Sequence, residues 1–185
     1  RYVEPAVLVG TTPESTRDAL RLWAEYSDRD GGLIADAADL PHQADVERTL
    51  VLIKPDNFRF PSARPGNIID LFSRSGLRII GAKVHHMSVE EAEQFYGPVR
   101  DVLRRKLVRI AGERAVRALS AEFNMTFADE LRDALGALIG PYYGEQQFYE
   151  IVRFMTGWWP PDCPQDQRSR PGKERCLALV YSGVN

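Results

Sequence analysis

Three short runs of β-branched and aliphatic residues, separated by long helical patterns, constrain the fold of this chain most strongly. The runs are Arg48–Lys54, Leu77–Met87 and Cys176–Tyr181. Each has the length and composition of a strand. The segments between them carry apolar residues at helical spacing. This order predicts an α+β protein whose sheet carries its helices on one face.

Local signals predict where the helices begin and end. Thr11 with Glu14, and Ser88 with Glu91, have the spacing of a capping box. The first pair predicts a helix to about residue 28, preceded by a strand at residues 6–9, and the second predicts a helix through residue 96. Gly76 and Gly157 are natural helix stops. Residues 98–140 have a helical pattern throughout. A second helical piece begins at residue 126, and Gly140 and Pro141 are expected to end it. A further helix is predicted over residues 145–155.

Charge and hydropathy exclude several classes of function. The 185 residues hold 24 basic and 26 acidic side chains, so the whole molecule has no field that favours nucleic acid or an anionic membrane. The longest uncharged stretch, Ala134–Gly144, is interrupted by glycines and a proline and is too short for a membrane helix. The N-terminus lacks the pattern of a secretion signal, so we expect a soluble, cytoplasmic fragment. Cys163 and Cys176 lack metal-ligand spacing, and no metal site is predicted in the chain itself.

One group of motifs resembles a known enzyme family. Residues 47–56 read ERTLVLIKPD, residues 66–72 read GNIIDLF, and residues 76–83 read GLRIIGAK. The combination resembles the opening of nucleoside diphosphate kinases, which read ERT, an apolar strand, KPD, a glycine that opens a helix, and a second strand. Residues 91–96, 148–157 and 176–185 are similar to later parts of the same family. The resemblance implies a ferredoxin-like antiparallel sheet with helices.

The resemblance also sets the expected domain organisation. Residues 1–46 form an N-terminal strand–helix extension with a linker, and residues 47–185 form the family-like domain. Residues 98–147 have no counterpart in the family pattern and are expected to be a helical insertion. Residues 6–15 look faintly like the family segment around its catalytic histidine, which would place that segment ahead of the first strand. A plain strand and a capped helix, which need no homology, are the favoured explanation.

The family transfers the γ-phosphate of a nucleoside triphosphate to a nucleoside diphosphate through a phosphohistidine, with Mg2+ on the phosphates. The resemblance implies that Lys54 contacts phosphate and that Tyr96 orients groups beside it. It implies that Phe148 or Tyr149 stacks on the nucleotide base. Homo-oligomers are usual in the family. The N-x-x-H-G-S-D motif that carries its histidine is not found in this chain, so a module of the same fold that binds nucleotide or protein without catalysis is the alternative.

Two other groups of residues are open to simpler interpretations. His85 and His86 are adjacent in a strand, so their side chains point to opposite faces and cannot share one ligand; neither matches the family histidine. Residues 100–117 contain seven basic side chains, which form either a solvated helix face or a surface for phosphates or an acidic partner. The missing base-reading motifs favour the solvated face.

Overall fold

A computed structural model describes residues 12–27 and 46–184 of the chain. Its helices and strands are α1 (Pro13–Ser27), β1 (Val46–Ile53), α2 (Arg64–Ser73), β2 (Arg78–His85), α3 (Val89–Phe123), α4 (Asp129–Thr156) and β3 (Cys176–Val184). The strand predicted at residues 6–9 and most of the predicted linker lie outside the described residues. No helix among the described residues is both long enough and apolar enough to cross a membrane.

The three described strands form one sheet in the order β1-β3-β2, so that β3 is central. Gly81 of β2 lies against Val180 of β3, and the Cys176 thiol lies 3.5 Å from the carbonyl oxygen of His85. The β3 number falls as the β2 number rises, and this pairing is therefore antiparallel. The predicted α+β class, with a ferredoxin-like antiparallel sheet and helices, is confirmed.

The described residues divide into two compact units. Residues 52–69 and 83–178 form one unit, and the remaining described residues form the other. In the first, a buried cluster is built from β-strand ends and the long helices, with the members Met87, Val89, Ala92, Phe148, Val152, Met155, Cys163 and Cys176. In the second, the buried ring of Tyr181 packs against Phe72 at 5.6 Å between ring centroids.

The predicted capping box at the start of α3 is confirmed. The Ser88 hydroxyl accepts a hydrogen bond from the Glu91 amide at 3.1 Å, and the Glu91 carboxylate accepts one from the Ser88 amide at 2.8 Å. At α1, Thr11 lies outside the described residues; the reciprocal bonds there join Thr12 and Ser15, at 3.1 Å in both directions. Gly157 ends α4 with φ of 76°, a conformation that glycine adopts without strain.

The predicted helix boundaries at Pro98 and at Gly140–Pro141 are wrong. Each proline lies inside a continuous helix, α3 or α4. A proline removes one intrahelical hydrogen bond and disfavours a helix by about 3 kcal/mol. Side-by-side packing of α3 and α4 along their length offsets that cost, and packing of this kind has no local signature in the sequence.

Glycines permit the close approach of α3 and α4. A Cβ at Gly140 would lie 2.6 Å from the Val108 Cα, and one at Gly144 would lie 2.7 Å from the Arg104 Cα. Backbone atoms of α3 occupy the space that a side chain at either position would need. Neither position therefore accepts even a methyl group unless the helices move apart. Gly112 and Gly136 face each other in the same way.

Replacing Gly140 with alanine should therefore destabilise the chain by about 1–3 kcal/mol, because the added methyl group overpacks the contact. Chemical denaturation measures the free energy of unfolding. Gly66→Ala is the matched control: no atom lies within 4 Å of its Cβ position in α2, and alanine should stabilise that helix by about 0.5–1 kcal/mol. Equal stability of Gly140→Ala and the native chain would contradict the close contact.

Candidate functional site

Lys54 lies at the end of β1, where the chain turns away from the sheet. It caps the 3-10 turn Pro55–Phe58, and its side chain is exposed. The Asn57 amide and the Asn57 side chain both donate hydrogen bonds to the Lys54 carbonyl oxygen, at 3.1 Å and 3.2 Å. The turn therefore fixes the Lys54 backbone while the ammonium group stays free to meet an anion.

Three of the four sequence-predicted site residues lie at the buried cluster of this unit. Tyr96 and Tyr149 pack against the cluster, and Phe148 belongs to it. Lys54 is exposed just after β1, and Leu52 of that strand also packs against the cluster.

Tyr96 lies in α3, two residues before Pro98, and is half-buried. Its ring meets Phe95 edge-on, with centroids 4.9 Å apart. Burial raises the pKa of the Tyr96 phenol above its ordinary value, and the nearby Cys176 thiol adds to the effect. The hydroxyl is therefore protonated at neutral pH and can donate a hydrogen bond.

Phe148 and Tyr149 differ in access. Phe148 is 0% exposed, and the Arg100 guanidinium lies 5.0 Å from its ring centroid. A nucleotide base could reach this ring only after that side of the cluster opened. Tyr149 is half-buried and meets Trp159 edge-on, with centroids 5.5 Å apart, so part of its ring remains accessible.

Glu145, which was not among the sequence-predicted site residues, bonds to several side chains of this region. Glu145 accepts hydrogen bonds from Arg100 through both of its oxygens, with Nε 2.9 Å from Oε2. Arg104 donates to the same carboxylate, with Nη2 2.7 Å from Oε2, and the Tyr149 hydroxyl also bonds to it. The hydrogen bonds from Arg100 are the largest cause of a Glu145 pKa of about 2. Burial, followed by the bond to Glu145, raises the pKa of the Tyr149 phenol.

Six of the seven basic side chains of segment 100–117 are exposed, as a solvated helix face requires, and Arg100 is half-buried. Several of them also have partners: Arg100 and Arg104 contact Glu145, Arg109 pairs with Glu113 at 3.2 Å, and Arg114 lies 2.6 Å from the Tyr143 hydroxyl.

A second ion pair connects the loop after α4 to α3. Arg168 donates to the Glu93 carboxylate at 2.6 Å and to the Pro160 carbonyl oxygen at 3.0 Å. The Glu90 amide donates to the Arg168 carbonyl oxygen at 3.1 Å. Both side chains of the pair are mostly buried, so the bonds hold the loop 158–174 on the helix that carries Tyr96.

A small cavity adjoins the turn that Lys54 caps. It measures about 200 Å³ and is lined by Phe58, Val84, Arg175, Cys176 and Leu177. Small-molecule sites usually measure about 300–1,000 Å³. This cavity is too small for a nucleotide, which leaves the open surface beside Lys54 as the larger candidate site.

The Glu145 pKa predicts a pH dependence of stability. Its folded value of about 2 lies below its ordinary value of 4.5, so the folded state stabilises the ionised form. That stabilisation is complete above about pH 5 and is lost as pH falls toward 2. Glu145→Gln should remove about 1–3 kcal/mol of the difference between the free energies of unfolding at pH 6 and pH 2.5.

Acid and denaturant titrations followed by circular dichroism measure that difference. Glu150→Gln is the matched control, since Glu150 is exposed on the same helix, and its pH dependence should follow the native chain. If the free energy of unfolding falls by the same amount between pH 6 and pH 2.5 in Glu145→Gln and in the native chain, the ionised Glu145 carboxylate does not stabilise the fold.

Comparison with known proteins agrees with the sequence resemblance. Residues 47–126 match the family model described as nucleoside diphosphate kinase. A nucleoside diphosphate kinase of Polynucleobacter necessarius is 46% identical over 56 residues, which cover 30% of this chain and 38% of the relative. One from Chlamydia trachomatis is 51% identical over 51 residues, covering 28% and 35%.

The chain thus spans well under half the length of the curated relatives it matches. A crystal structure of an NDP kinase from Pyrobaculum aerophilum is 23% identical, with a TM-score of 0.37 over 75% of this chain and 61% of that one. The family match begins at Glu47 within β1 and includes Lys54 and Tyr96. Residues 47–126 are therefore similar to the nucleoside diphosphate kinase family.

Proposed function

We propose that this chain binds nucleoside di- and triphosphates through Lys54, Tyr96 and Tyr149. We further propose that it takes part in transfer of the γ-phosphate of a nucleoside triphosphate to a nucleoside diphosphate. The main support for the proposal is the position of Lys54. Its side chain is an exposed cation, its backbone is fixed by the turn Pro55–Phe58, and it lies within the residues that match the family model. The match of residues 47–126 to the family model supports the reaction class.

The side chains would supply the positioning and charge stabilisation that phosphoryl transfer requires beyond its nucleophile. The Lys54 ammonium would neutralise charge on the phosphate oxygens. The protonated Tyr96 phenol would donate a hydrogen bond beside it. The Tyr149 ring would stack on the base, and such stacking tolerates any base.

Mg2+ in such sites keeps several waters and binds through substrate phosphates with one or two carboxylates. No cluster of three or more histidine, cysteine, aspartate or glutamate side chains that could cage a metal occurs among residues 12–27 and 46–184. Asp56, exposed beside Lys54, is a carboxylate that fits the smaller role. Mg2+ would therefore arrive with the nucleotide and supply charge neutralisation on its phosphates. As in the family, we expect the protein to be a homo-oligomer.

Lys54→Ala should weaken binding of ADP with Mg2+ by about 10- to 100-fold, because a charge-assisted hydrogen bond contributes about 1.5–3 kcal/mol. Isothermal titration calorimetry measures the affinity. Lys83→Ala, which removes an exposed lysine of β2, is the control and should bind as the native chain does. Unchanged affinity of Lys54→Ala would remove Lys54 from the site.

Tyr149→Leu should weaken binding of ADP and of GDP about equally, because it removes a stacking face worth about 1–3 kcal/mol that does not select the base. Tyr149→Phe keeps the ring and loses only the bond to Glu145, so its affinity should stay within about threefold of the native value. If both variants bind alike, stacking on Tyr149 is excluded.

Incubation with γ-labelled ATP and unlabelled GDP separates the two candidate functions. Labelled GTP supports phosphoryl transfer by this chain. Nucleotide binding without transfer supports the alternative, a binding module of the same fold.

A further inference from the structure

The cavity of about 200 Å³ beside the turn after β1 has no part in the proposed nucleotide site. Three elements of one compact unit build it: the turn after β1, the end of β2 and the start of β3. Its lining residues are Phe58, Val84, Arg175, Cys176 and Leu177. Val84 is 60% exposed, so the cavity opens to solvent on that side. A ligand could therefore enter without any movement of the chain.

Most of the lining is apolar. Phe58, Val84 and Leu177 contribute aromatic and aliphatic side chains. Cys176 is buried, and its thiol donates a hydrogen bond to the His85 carbonyl oxygen at 3.5 Å. Burial also raises the pKa of this thiol, which is therefore uncharged at neutral pH. Aromatic rings pack favourably against both another ring and sulfur, so this lining favours an aromatic ligand.

Arg175 is the one charged residue among the five that line the cavity. Its side chain is exposed, and in the part of the chain that the structure describes no hydrogen bond or ion pair engages its guanidinium group. Glu174, the carboxylate next to it in the sequence, pairs with Arg59 instead, at 3.7 Å. Arg175 is consequently available to an anion. A guanidinium group binds a carboxylate through two parallel hydrogen bonds.

The volume of the cavity limits the ligand to a single ring. An apolar cavity of about 150 Å³ binds benzene, so one of about 200 Å³ holds a six-membered ring with a small substituent. A phosphate or sulfate ion would satisfy Arg175 and leave the apolar lining without a partner. A small aromatic carboxylate matches the volume, the lining and the charge together.

We propose that this cavity is a binding site for a small aromatic carboxylate, whose ring packs on Phe58 and Leu177 and whose carboxylate pairs with Arg175. Benzoate is the simplest ligand of this class. The proposal goes beyond nucleotide binding and is independent of it, because none of the five lining residues is assigned to the nucleotide site.

Nuclear magnetic resonance of the chain labelled at its methyl groups locates the site. Benzoate should shift the methyl signals of Val84 and Leu177 with a dissociation constant on the order of 1 mM, as ligands of this size reach. Acetate lacks the ring and benzyl alcohol lacks the charge. Each should bind about 10-fold more weakly than benzoate, because each loses one of the two kinds of contact.

Two results of this titration would overturn the proposal. One is the absence of saturable shifts at Val84 and Leu177 up to about 50 mM benzoate, well above the expected constant. The other is acetate that binds as tightly as benzoate, which would reveal only an ordinary anion contact at an exposed arginine.

Arg175→Gln tests the role of the charge. This variant should bind benzoate about 10-fold more weakly, because it removes a charge-assisted hydrogen bond, and should bind benzyl alcohol as the native chain does. Arg105→Gln is the matched control, since Arg105 is exposed on α3 and does not line the cavity; its affinity for benzoate should equal the native value. Circular dichroism checks that both variants fold. Native affinity of Arg175→Gln for benzoate would overturn the proposal.

Discussion

The close contact between α3 and α4 is the constraint on which the rest of the functional unit depends. Gly136, Gly140 and Gly144 let the two backbones approach until no Cβ would fit between them. This approach brings Arg100 and Arg104 to Glu145, 45 and 41 positions away in the sequence. The same carboxylate bonds to the Tyr149 hydroxyl. The candidate base-stacking ring is thereby held by the packing of α3 against α4.

Local chemistry predicted much of the fold. The capping box of Ser88 and Glu91 and the stop at Gly157 follow from what a few adjacent residues can do, and the structure confirms them. The helices that continue through Pro98 and Pro141 were not predictable in this way. Their continuity depends on tertiary contacts that offset the cost of a proline.

The candidate site was predictable to a similar degree. The exposure of Lys54 follows from its place between a strand and a proline. Phe148 and Tyr149 are neighbours in one aromatic helix segment, and only the folded chain shows that the first is buried and the second is accessible in part. Glu145 carries no signal of its own in the sequence, because the arginines that lower its pKa come from another helix.

The central claim is that nucleotide binds on the surface around Lys54, and nuclear magnetic resonance tests it most directly. Amide chemical shifts of the isotope-labelled chain are followed while ADP and Mg2+ are added. If nucleotide binds there, the largest changes occur at Lys54 and the turn Pro55–Phe58, at Tyr96 and at Tyr149. Absence of changes at millimolar ADP, or changes confined to other parts of the chain, would contradict it.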